Sequence, residues 1–149
     1  MAGFYYLYTY AKPNKMRTSA DNTAVISISS SLPSYRLCWL LNNELDINFI
    51  RKPELDICLR STTGKKEYVP IYQSALLNGA LYILYKLKGD ENYFLPENKQ
   101  ADYLWMVQST CINNDVKKLT NQLLSLPDVQ PIEILQTNEL KHFDELICI

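Results

Sequence analysis

Apolar and polar positions alternate with a period of two along several short stretches of this chain, and helical spacing is confined to fewer segments. The clearest alternation runs from Leu81 to Lys88. Leu81, Ile83, Tyr85 and Leu87 fall on one side, and Lys86 and Lys88 on the other, as a half-buried strand requires. Tyr103 to Gln108 is apolar on both sides and predicts a strand interior to a sheet. Ala24–Ser29, Ile47–Ile50, Glu54–Arg60 and Ile132–Leu135 predict further strands. Glu67–Tyr72 contains Pro70, which cannot donate to a ladder, so that stretch can be a strand only at an edge. Phe4 to Tyr10 also alternates, with Phe4, Tyr6, Tyr8 and Tyr10 sharing one face.

Helical spacing first appears at Leu37, Leu40, Leu41 and Leu45. It predicts a helix over 33–44, capped by Ser31 or Ser34, with Pro33 in its first turn. Val116, Leu119, Leu123 and Leu126 predict a second, started by Asn113 or Asn114 and closed before Pro127. Leu140, Phe143 and Ile147 predict a short amphipathic helix over 138–147. Strands grouped between two main helices point to an α+β fold, with a mostly antiparallel sheet packed by those helices and the short C-terminal one. The chain divides into an aromatic and basic segment, 1–23, expected to hold a strand plus a loop, and a single domain over 24–149.

At 149 residues, 47% hydrophobic and 21% charged, the chain has enough material for one buried core. A formal net charge of -1 gives no overall attraction to nucleic acid or anionic membrane. Cys38, Cys58, Cys111 and Cys148 are scattered, and His142 is the only histidine, so no structural metal site is expected. No cofactor is expected either. Gly64-Lys65-Lys66 lacks the earlier glycine of a phosphate-binding loop. Cys38, within a leucine-rich segment, reads as a packed thiol, while Cys58 falls on a more polar strand face and is the better thiol candidate. The start, Met1 to Tyr8, has no positive charge before its apolar residues, unlike a secretory signal. With no apolar run of about 20 residues to span a membrane, the expected location is cytoplasmic.

The richest chemistry lies at Leu95-Pro96-Glu97-Asn98-Lys99-Gln100-Ala101-Asp102-Tyr103. Two acids and a tyrosine flank a proline-stiffened turn between apolar runs. Pro96 fixes φ and ends a strand. A carboxylate at Glu97 or Asp102 can accept backbone N–H groups that a ladder leaves unpaired. Tyr103 can bury its ring while its hydroxyl bonds across the turn. Arg36 is the natural cationic partner for one of the acids. With Leu95 in place of Ile and Ala101 in place of Val, this stretch resembles the motif of the bacterial IPExxxVDY family. Tyr35-Arg36-Leu37-Cys38-Trp39-Leu40-Leu41-Asn42 is similar to that family's YRLCW-type helix. The resemblance covers roughly residues 24 to 137 and implies a small cytoplasmic bacterial protein, with no activity attached.

Three functional readings follow. In the first the chain is a non-catalytic interaction module for another protein or for itself. Its 11 tyrosines suit a contact surface, and Phe4, Tyr6, Tyr8, Tyr10 and Lys12 supply a candidate face. The motif residues Leu95, Pro96, Glu97, Asp102, Tyr103 and Arg36 are then structural. In the second, Glu97, Asp102, Tyr103 and Arg36 surround one pocket of an enzyme or small-molecule binder, with the two acids as general acid and base. In the third, the N-terminal aromatics and Lys12 stack and hold single-stranded RNA.

Overall fold

The computed structural model describes residues 6–9, 22–60, 64–87 and 101–135. Along these run β1 (Tyr6–Thr9), β2 (Thr23–Ser29), α1 (Ser34–Leu45), β3 (Ile50–Arg51), a 3-10 turn (Pro53–Leu55) and β4 (Ile57–Arg60). β5 (Lys66–Val69), β6 (Ile71–Ala75), β7 (Leu81–Lys86), β8 (Tyr103–Gln108), α2 (Ile112–Leu124) and β9 (Gln130–Leu135) follow. The fold is α+β. A six-stranded sheet has the order β3-β6-β7-β8-β2-β9, and a three-stranded sheet the order β1-β4-β5. Every strand pairing is antiparallel. The helix expected over 138–147 and the turn around Pro96 lie outside the described residues.

β8 sits between β7 and β2, and all six of its residues are buried, as its continuous apolar sequence predicts. Alternate residues face two cores. On one side Ile26, Ile28, Tyr82, Leu84, Tyr103, Trp105 and Val107 pack with Leu37, Cys38 and Leu41 of α1 and Val116, Leu119 and Leu123 of α2. Trp105 is wholly buried there, edge-on to Phe49 and Tyr82 at ring distances of 5.0 and 5.3 Å. On the other side Val25, Ile71, Ile83, Tyr85, Leu104 and Met106 form a second core, which Val69 of β5 and Leu55 join. Each fully buried aliphatic side chain removes enough apolar surface from water to contribute about 1.5–3 kcal/mol.

Several local features depart from the pattern in the sequence, each for a visible reason. Ile47–Phe49 is not a strand, because side chains occupy its backbone. Asn42 accepts the Phe49 N–H (2.7 Å) and donates to the Phe49 carbonyl (3.2 Å), while Ser74 Oγ accepts the Asn48 N–H (3.0 Å). Pairing with β6 starts only at Ile50. Arg51 then forks onto Asp56, with Nη2–Oδ2 at 2.7 Å, and lies over the Tyr72 ring at 5.8 Å. The stretch Glu67–Tyr72 holds two strands, not one: β5 is an edge of the small sheet, β6 is interior to the large one, and Pro70 is where the chain changes sheets. Lacking an N–H, Pro70 costs neither ladder a donor.

Both helices start without the expected side-chain caps. Pro33 is the first boundary residue of α1 and Cys111 that of α2. At α2 the work of a cap falls to Ser109, whose hydroxyl accepts the Cys111 N–H (3.1 Å) and donates to Asp115. At the far edge of the large sheet β9 slips register between Ser27↔Glu133 and Ile28↔Pro131. Ile132 is thus the extra residue of a bulge beside a proline, a placement that an edge strand tolerates.

Candidate functional site

β2 ends at Ser29, still paired with Gln130 of β9, and Ser30 follows beyond the ladder. Asp102, one residue before β8, meets both residues. Its carboxylate accepts the Ser30 N–H (2.9 Å) and the Ser29 hydroxyl (3.3 Å). Its own N–H donates to the Ile28 carbonyl (2.9 Å), and its carbonyl accepts the Leu87 N–H (3.0 Å). One residue therefore joins the ends of β2, β7 and β8. Ser30 Oγ donates to the Asp128 carbonyl (2.8 Å) and accepts the Leu32 N–H (3.2 Å), bringing the chain before β9 into the same knot.

Tyr103 completes the corner. Its ring lies in the helix-side core and its hydroxyl donates to the Leu32 carbonyl at 2.6 Å, immediately before α1. Burial pushes the Tyr103 phenol well above its ordinary range, with the neighbouring Cys38, Asp102 and Tyr72 adding to the rise. From β6, the Tyr72 hydroxyl donates to Ser34 Oγ at 3.0 Å. The first turn of α1 is thus held by two tyrosines from two different strands.

Arg36 does not join this corner. It lies exposed on α1 and makes no bond to Asp102. Since the Asp102 carboxylate is occupied by an N–H and a hydroxyl at the strand end, no guanidinium is required there. Leu95, Pro96 and Glu97 lie outside the described residues, as do the side chains of Phe4, Tyr6, Tyr8, Tyr10 and Lys12. The backbone of Tyr6–Thr9 is described as β1, paired with β4.

The thiols separate by burial. Desolvation raises Cys38 from its ordinary 9.0 to about 12, so at neutral pH it is a protonated core group and no nucleophile. Cys58, the stronger candidate by its strand face, is also buried, whereas Cys111 is exposed at the head of α2. Alternation along Glu54–Arg60 suggests a polar face for Cys58, yet on the central strand of the small sheet it is only 6% exposed. Among the described residues no group of His, Cys, Asp and Glu could hold a metal ion. No helix among them is long and apolar enough to cross a membrane.

The sequence reading missed the outer face of α1. Tyr35 and Trp39, one turn apart, are 68% and 67% exposed, and Arg36 is exposed beside them. The signal was available. At about 100° per residue, Tyr35 and Trp39 each lie about 160° from Leu37, directly opposite the core side. At its C-terminal end α1 stops at Asp46, in the left-handed region with φ 52°. There it borders an open groove of about 440 Å³ against the β6–β7 turn, lined by Asp46, Ile47, Asn48, Leu76, Leu77 and Asn78 among others. A smaller hollow of about 170 Å³ adjoins it, reaching Tyr82, Asp115 and Lys118. At the tip of the turn Leu77 is fully exposed. Comparisons of the chain with protein families, curated proteins and solved structures found no match.

Proposed function

We propose that this α+β protein is a non-catalytic interaction module, binding another protein or itself, and that α1 presents its binding face. The observation that carries this reading is the exposed Tyr35–Trp39 pair with Arg36 alongside. Tyr, Trp and Arg are the three residue types most enriched at the energetic centres of protein interfaces. Two rings of this size on the outside of a helix add nothing to the core, which Leu37, Cys38 and Leu41 already fill. The Asp102–Tyr103 corner supports the same reading from the other side. Its hydrogen-bonding groups are engaged in joining strand ends to the start of α1, an architectural role that holds the binding helix in place.

The test is a comparison of binding and folding in one variant. Immobilised wild-type protein retains a partner, be it its own copy or another protein, and Trp39→Ala loses most of that retention with its melting temperature unchanged. Equal retention by wild type and variant, or none by either, overturns the proposal.

A further inference from the structure

The occupant of the α1 face can be named, on the reading that this face is the binding surface. We propose that it is a second copy of this chain. Two α1 helices pack antiparallel about a two-fold axis, and Tyr35 of each copy seats in the groove at the C-terminal end of the other copy's α1.

Charge placement sets the direction. Arg36 stands near the start of the exposed face and Asp46 at its end, both exposed, and both lie within about 60° of Trp39 around the helix axis. A parallel pairing in register sets like charges side by side. An antiparallel pairing in which Arg36 faces Asp46 of the second copy sets opposite charges together at both ends, and two-fold symmetry repeats the contact. The face is complementary to its own reversed image.

Register then follows without further choice. With Arg36 opposite Asp46, Trp39 stands opposite Asn43, and the two Trp39 positions lie about one turn apart along the axis, flanking the centre. Tyr35 stands opposite Ile47, which lines the groove of about 440 Å³. That groove has apolar walls at Ile47, Leu76 and Leu77 and amide groups at Asn48 and Asn78. It suits an occupant with an apolar body and a polar tip, which describes a tyrosine side chain. The same contact covers Leu77, the most exposed large apolar residue of the described chain. Four separate features, namely the aromatic pair, the two charges, the groove and the bare leucine, are thereby satisfied by one symmetric arrangement.

Sedimentation equilibrium of the full chain tests it. The wild type is expected to dimerise at micromolar concentration, with Trp39→Ala and Tyr35→Ala each weakening the dimer tenfold or more. Arg36→Glu alone and Asp46→Lys alone are expected to be monomeric, and their equimolar mixture to regenerate a dimer, because each mixed pair restores opposite charges at both ends. Asp46→Asn, which tolerates the left-handed backbone better than lysine, weakens the dimer without the mixing rescue and covers the case where Asp46→Lys melts early. A wild type that stays monomeric at millimolar concentration overturns the proposal. So does a dimer indifferent to all these substitutions, or a mixture of well-folded Arg36→Glu and Asp46→Lys that fails to associate. A monomeric wild type that still captures another protein through Trp39 sinks the dimer but leaves the interaction reading standing, whereas a monomer that captures nothing ends both.

Discussion

At the scale of single residues, Asp102 adds its own hydrogen bonds to the ends of β2 and β7 where both pair with β8. Asp102→Ala removes the acceptor of the Ser30 N–H and the Ser29 hydroxyl. It should cost about 1–3 kcal/mol, the range for a partly buried donor left without a partner, and should show as a lower urea midpoint with an unchanged slope. Tyr103→Phe removes one bond to the Leu32 carbonyl and should cost about 1 kcal/mol by the same measurement. The buried acids give a pH dependence of definite sign. Folding keeps the Cys38 thiol protonated, so the unfolded chain releases that proton first. Stability from this group is whole below 9.0 and falls as pH rises toward about 12. The phenols of Tyr82, Tyr85 and Tyr103, all raised by burial above the ordinary 10.0, add to the loss from that pH upward. Urea midpoints should therefore decline on the alkaline side, and Cys38→Ala should flatten the first part of the decline. A midpoint that holds steady through this range contradicts the assignment.

At the scale of elements, α1 separates stability from binding. Leu41→Ala empties a wholly buried position and should destabilise by about 2–5 kcal/mol. Trp39→Ala, on the opposite side of the same helix, should move stability by no more than about 0.5 kcal/mol. Chemical denaturation of the two variants side by side checks this, and comparable losses would mean that Trp39 is packed after all. Elements with a strong period were legible in the sequence: β2, β7, β8 and both helices stand where Ile26, Ile83, Trp105, Leu41 and Leu123 call for buried faces, although Tyr82 and Leu84 bury the other face of β7 as well, against the half-buried pattern expected there. What was not legible depends on side chains reaching far along the chain. Nothing in the Ile47–Ile50 pattern reveals that Asn42 and Ser74 will occupy its backbone. Nor does Pro70 show by itself that one apolar run will be shared between two sheets. The site follows the same rule. The roles of Asp102 and Tyr103 at a turn could be argued locally, but Arg36 was assigned by charge alone. Only the helix phase, set by Leu37 and Leu41, shows it facing away.

At the scale of the whole molecule, the large sheet is assembled out of chain order. β2, near the start, is enclosed by β8 and β9 from near the end, and Ser27 meets Glu133 across 106 residues. Topologies dominated by such distant antiparallel pairing fold in roughly milliseconds to seconds. Stopped-flow refolding should fall in that range, and a microsecond phase carrying the full amplitude would contradict the strand order. The late arrival of β9 has a further consequence for biosynthesis. While a ribosome is still producing the second half of the polypeptide, Ile26 and Ile28 have emerged with neither flanking strand yet made. The nascent chain carries that sticky strand unprotected until residues 103–135 have emerged, which makes it a natural client for whatever shields growing polypeptides, and makes products truncated before that point the ones most prone to clump.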